Sequence, residues 1–139
     1  MIVEDWLYEI EKLEYKIETI KNDIDMLNSI ATSISSCVYG DKVQTSHKRD
    51  KIGDMVSKIM DKEQEMQDTI DRYIEIKENI QRTISKLDVK LYQIIYKKYF
   101  EYKRNKEIAI EMKITPMHVY RLHKKAIEEI QKMLDDVIK

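Results

Sequence analysis

Met117, His118, Tyr120, Arg121, Lys124 and Lys125 lie close together near the C-terminus, in the run Pro116-Met-His-Val-Tyr-Arg-Leu-His-Lys-Lys125. These side chains can read and hold a polyanion. The planar fork of an arginine fits guanine O6 and N7, and Arg121 is the first choice for that contact. Met117, His118 and Tyr120 suit base edges or a thymine methyl, whereas Lys124 and Lys125 suit phosphates. Lys103, Arg104 and Lys106 form a second basic group just upstream, placed to neutralise a nucleic-acid backbone, and the Thr115 hydroxyl can join them.

Such residues need a rigid frame, and the apolar spacing supplies one. Ile108, Ala109 and Met112 fall at helical intervals and would pack inward. Ile114 would plug a tight turn, Thr115 would cap the next helix, and Pro116 would sit at the first helical position, where its missing N–H costs little. Val119, Leu122, Ala126, Ile130 and Met133 then make one core-facing stripe, leaving the basic and polar residues outside. A short helix, a turn and a second helix with a basic start form the layout of a DNA-reading helix-turn-helix. Two packed helices of a plain hairpin give similar stripes. The small Ala109 at the crossing and the gathered positive charge favour the DNA-reading layout.

The segment Lys98–Ile130 resembles the last DNA-binding module of primary sigma factors. It is closer to the phage regulators of late transcription of the RinA and ArpU type, which carry a sigma-like helix-turn-helix. The resemblance rests on Lys98-Tyr99, Glu107-Ile108-Ala109, Ile114-Thr115, and Val119-Tyr120-Arg121-Leu122-His123 leading to Lys125-Ala126. It implies a DNA-binding transcription regulator, phage- or prophage-derived. Three departures stand out. Tyr102 occupies a loop position commonly held by Gly, Arg104-Asn105 replaces the usual opening of the first helix (with Asn105 as substitute cap), and Pro116-Met117-His118 replaces a basic–acidic–basic start. The sigma site preference is therefore not carried over.

Of 139 residues, 37% are charged and only three are Gly or Pro, which favours long helices over sheets. The net charge of −1 hides an asymmetry. Residues 1–85 hold 12 Lys/Arg and 18 Asp/Glu, whereas residues 86–132 hold 12 Lys/Arg and six Asp/Glu. A basic module tethered to an acidic one suits a DNA reader with a protein-contacting arm, for which RNA polymerase or a second copy of the chain (a homodimer) are the partners considered.

From Val3 to Ile34 the apolar residues follow heptads, in one register Val3, Ile10, Ile17, Ile24 and Ala31, in the other Trp6, Leu13, Ile20, Leu27 and Ile34. Ser35–Asp50 breaks the pattern and reads as a loop, with His47, Lys48 and Arg49 as a solvated basic cluster or a phosphate contact. Ile52, Ile59, Met66, Tyr73, Ile80 and Leu87 resume the heptads, with Val56, Glu63, Ile70, Lys77 and Ile84 interleaved. Pairing within the chain makes a long antiparallel hairpin, and pairing between chains serves the same seam. The expected fold is thus all-α: residues 1–86 as a coiled-coil-like antiparallel hairpin with its loop at 35–50, and residues 87–139 as the sigma-like helix-turn-helix domain. Asp88 would cap a further helix in which Leu91, Ile95 and Tyr99 support that domain, with Tyr102 continuing the inner set. Tyr96, Tyr99, Phe100 and Tyr102 read as core with wet hydroxyls, with a base-stacking platform as the alternative.

Other chemistry is poorly served. His47, His118, His123 and Cys37 have no metal-ligand spacing, and His118 and His123 are about 500° apart on a helix. Gly40 and Gly53 open no phosphate loop. Carboxylates are dispersed on outward faces. A non-enzyme without cofactor or metal is expected. One cysteine, no membrane-length apolar run and no export signal point to a cytoplasmic protein. Two other readings are a coiled-coil structural or adaptor protein and a phage small packaging subunit.

Overall fold

The structure is a computed structural model that describes residues 2–40 and 46–138, with side chains described for 2–33 and 50–136. The chain is all-α. Its elements are α1 (Val3–Gly40), α2 (Ser46–Ile84), α3 (Val89–Ile95), a π-helical turn (Tyr96–Phe100), α4 (Asn105–Met112) and α5 (Pro116–Ile138). No strand occurs among the described residues.

The loop expected over Ser35–Asp50 is shorter than its composition suggests. α1 runs on to Gly40 and α2 already starts at Ser46. A formed helix gains one hydrogen bond per added residue without a new nucleation cost, so Ser and Thr alone do not stop it. Residues 41–45, and the side chains of Cys37, His47, Lys48 and Arg49, lie outside the described residues.

Two compact units emerge, Met1–Lys12 with Tyr73–Lys139, and Leu13–Arg72. The division at 86/87 read from the sequence follows the change of element, whereas this grouping follows contact. The first turns of α1 and the last turns of α2 carry large aliphatic residues that meet the C-terminal helices. Val3, Leu7 and Ile10 share a core with Ile80, Ile84, Leu87, Leu91, Ile95, Tyr99, Ala126 and Ile130, and Trp6 packs against it. Leu7 falls outside both heptad registers and is fully buried. Each such side chain contributes about 1.5–3 kcal/mol by leaving water.

In the second unit Leu13, Ile20 and Thr69 are buried, and Ile17, Ile24, Leu27, Ile59, Met66 and Ile70 are half-buried. The Thr69 hydroxyl donates to the Glu65 carbonyl at 2.7 Å, which satisfies it inside the helix. Lys62 of α2 pairs with Asp23 of α1 at 3.5 Å. Both are open to solvent, so the pair fixes alignment more than it adds stability.

Candidate nucleic-acid interface

Ile94, Ile108, Ala109 and Val119 form a small core of their own, with Met112, Ile114 and Leu122 packed against it. Ile108, Ala109, Met112, Ile114, Val119 and Leu122 are residues the sequence expects inward here, and Ile94 joins them. The rest of the expected α5 stripe (Ala126, Ile130 and Met133) packs on the larger core instead. α4 ends at Lys113, which takes the left-handed conformation at φ 58°. The Ile114 N–H then returns to the Ala109 carbonyl at 3.0 Å. Ala109 lets that turn close, because a larger side chain would hold the two helices apart. Thr115 caps α5: its Oγ1 accepts the His118 N–H at 3.1 Å, and Pro116 follows as the first helical residue.

This geometry leaves one face of early α5 outside the core. Met117 and Tyr120 are 61% and 55% exposed, and His118, Arg121, Lys124 and Lys125 are exposed beside them. Among the described residues, Arg121, Lys124 and Lys125 have no carboxylate partner. The cations face solvent uncompensated.

The upstream basic group divides. Lys103 is held by Glu101 at 2.7 Å and by Glu111, and Lys97 also reaches Glu111 at 2.8 Å. The hydrogen bond from Lys103, then that from Lys97, holds the Glu111 carboxyl below its usual range. Glu101 first and Glu111 second keep Lys103 firmly protonated. Its charge is largely spent inside the protein. Arg104 and Lys106 are exposed with no such partner.

Three local expectations need correction. Asn105 is not the cap of α4: Arg104 takes the cap position in extended backbone with no side-chain cap bond, and Asn105 Oδ1 accepts from Lys98 Nζ at 3.4 Å. Asp88 stands at the cap of α3, but its carboxylate makes no cap bond. Tyr102 does not continue the inner set. The helix widens at Tyr96–Phe100, Glu101 N–H reaches back five residues to the Tyr96 carbonyl at 3.1 Å, and Tyr102 turns outward at φ 58°. That positive φ explains why glycine would be the easier residue there.

Of the aromatic set expected as core, only Tyr99 is buried; Tyr96 and Phe100 are half-buried and Tyr102 is exposed. Tyr99 is buried, meets Tyr8 edge-on at 5.0 Å between centroids, and lies within hydrogen-bonding distance of His123 Nε2 at 2.7 Å. Tyr92, Tyr96 and Phe100 stack in a column one helical turn apart, with Lys77 near the Phe100 ring. Burial, aided by the nearby Lys98 charge, pushes the His123 pKa down to about 4. Burial, then Tyr8 and Glu4, push that of Tyr99 up. Sequence reasoning did not pair these two. The available signal was that Tyr99 lies one turn beyond Ile95, and His123 one turn beyond Val119, so each falls on an apolar stripe.

Among the described residues no group of His, Cys, Asp or Glu converges as metal ligands, and no helix is long and apolar enough to cross a membrane. Comparison with known family models, curated proteins and solved structures finds no match.

Proposed function

We propose that the chain is a sequence-specific DNA-binding transcription regulator of phage type, not an enzyme, acting through a sigma-like helix-turn-helix. The observation that carries this reading is the uncompensated face of α5, where Arg121, Lys124 and Lys125 stand among exposed Met117, His118 and Tyr120 over a dedicated core. On this reading the start of α5 enters the major groove. Arg121 grips a guanine, and Met117, His118 and Tyr120 meet neighbouring base edges. Lys124, Lys125, Arg104 and Lys106 hold phosphates. The Thr115 hydroxyl, whose oxygen caps the helix, donates its proton to another phosphate. Lys103 contributes least, because Glu101 and Glu111 already hold it.

The acidic long helices form the arm, a hairpin in this proposal, that contacts RNA polymerase or a second copy. The Asp23–Lys62 pair supports hairpin alignment in the second unit. The deciding experiment exposes the purified protein to pooled random duplex DNA at about 50 and 200 mM salt and sequences what it retains. An enriched motif with steep salt dependence is expected. Salt-sensitive retention without a motif would replace this reading with packaging, and no retention would replace it with a coiled-coil adaptor.

A further inference from the structure

The first unit also contains a cavity of about 480 Å³, lined by Tyr8 and Glu11 of α1 and by the segment that carries Lys98, Tyr102, Arg104 and Lys106. Its charge is unbalanced. Among the described residues neither Lys98, Arg104 nor Lys106 has a carboxylate within ion-pair distance, and Glu11 is the one acid on the wall. Lys103 also borders the cavity, but Glu101 and Glu111 neutralise it. That leaves a surplus of two positive charges, which matches a phosphate group with its roughly −1.5 to −2 charge.

Lys98 carries the argument further. It is half-buried, its ammonium reaches a neutral acceptor, Asn105 Oδ1 at 3.4 Å, and burial holds its pKa below the usual lysine range despite the nearby Glu4. A partly desolvated cation that Glu4 favours only from beyond ion-pair distance is still under-compensated, and a bound anion lowers that cost. The walls are not only charged. Tyr8 and Tyr102 are 41% and 43% exposed and offer flat rings next to the cations. The volume lies within the range usual for small-molecule sites.

We propose that this cavity binds a nucleoside phosphate, with the phosphates against Lys98, Arg104 and Lys106 and the base against Tyr8 or Tyr102. Arg104 and Lys106 cannot neutralise a nucleotide and a DNA backbone at once. Occupancy therefore weakens DNA binding, a coupling that rests on the function proposed above.

The test titrates the full chain, without DNA, with ATP, pyrophosphate and adenosine in turn, following backbone amide NMR shifts. ATP is expected to saturate one site with shifts centred on residues 8–11 and 98–106, pyrophosphate to bind more weakly, and adenosine weakest. Lys98→Met and Arg104→Ala should each weaken ATP on the order of tenfold, as expected when a charge-assisted contact is lost. Arg104 is exposed, so its variant carries the test if Lys98→Met does not fold. No saturable ATP binding, or binding indifferent to Arg104→Ala, would overturn the proposal. Pyrophosphate binding as tightly as ATP would overturn the place given to the base. A chain that selects DNA but ignores ATP sinks this inference alone, and one that binds ATP but selects no DNA sinks the regulator reading and the coupling.

Discussion

The Tyr99 hydroxyl and His123 Nε2 meet at 2.7 Å in the interior of the first unit, tying the π-helical turn to the helix with the exposed basic face. Tyr99 keeps its proton because its pKa is raised, and His123 is neutral near pH 7 because its pKa is about 4. We therefore assign the hydroxyl as donor and place the imidazole proton on Nδ1. Tyr99→Phe leaves the ring nitrogen buried without a partner and should cost about 1–3 kcal/mol. Urea unfolding would show it as a lower midpoint with unchanged slope.

The same ring makes stability depend on pH. The folded pKa of about 4 lies below the ordinary histidine value of about 6.5, so between them the unfolded chain binds the extra proton. Stability from this group is full above about pH 6.5 and declines as pH falls through 4, by up to about 3 kcal/mol. In His123→Gln, unfolding followed from pH 7 to 4 should lose that part of the slope. An unchanged slope would show that His123 is not the titrating group.

On the exposed basic face of α5, Arg121 and Lys124 should fail differently if the proposed DNA contact is made. Arg121→Ala should cost on the order of 1–3 kcal/mol on the selected site and little on unrelated duplex. Lys124→Ala should weaken all sequences alike and reduce the salt slope by about 1. Equal losses on all sequences for Arg121→Ala would remove its base contact.

Lys103 and Lys106 are close in sequence and formally alike, yet only Lys103 is tied to two carboxylates. Lys106→Ala should therefore reduce DNA affinity more than Lys103→Ala. The comparison needs one duplex and one salt concentration, and the reverse order would show that DNA draws Lys103 away from Glu101 and Glu111.

Lys113 sits at φ 58° at the end of α4, is exposed, and has no ion-pair partner among the described residues. Lys113→Gly should stabilise the chain by about 1 kcal/mol, because glycine enters the left-handed region without the Cβ penalty. A lower melting temperature would mean that the lysine side chain holds the turn.

Periodicity made the helices and the inward residues of α4 and α5 legible, since Ile108 and Ala109 on one helix, and Val119, Ala126 and Ile130 on the other, must share an inward face whatever surrounds them. Thr115-Pro116 was equally readable, because a cap and a first-turn proline act locally. Leu7 was missed because a two-helix heptad seam does not anticipate a third set of partners from α3 and α5. The π-turn was missed too. Its wider hydrogen-bond spacing precedes the parting of Tyr99 inward from Tyr102 outward, and single-sequence spacing carries no mark of either. The Asn105 cap failed for a similar reason, as Lys98 reaches its side chain from another element.

Trp6 is the chain's single tryptophan, and it packs on the core of the first unit. Its emission therefore reports the surroundings of that core, while far-ultraviolet dichroism sums helix from both units. An optical melt of this protein thus carries its own spatial label. Where the two signals separate on heating, the gap between them measures how independently the long helices unravel from the module they lead into.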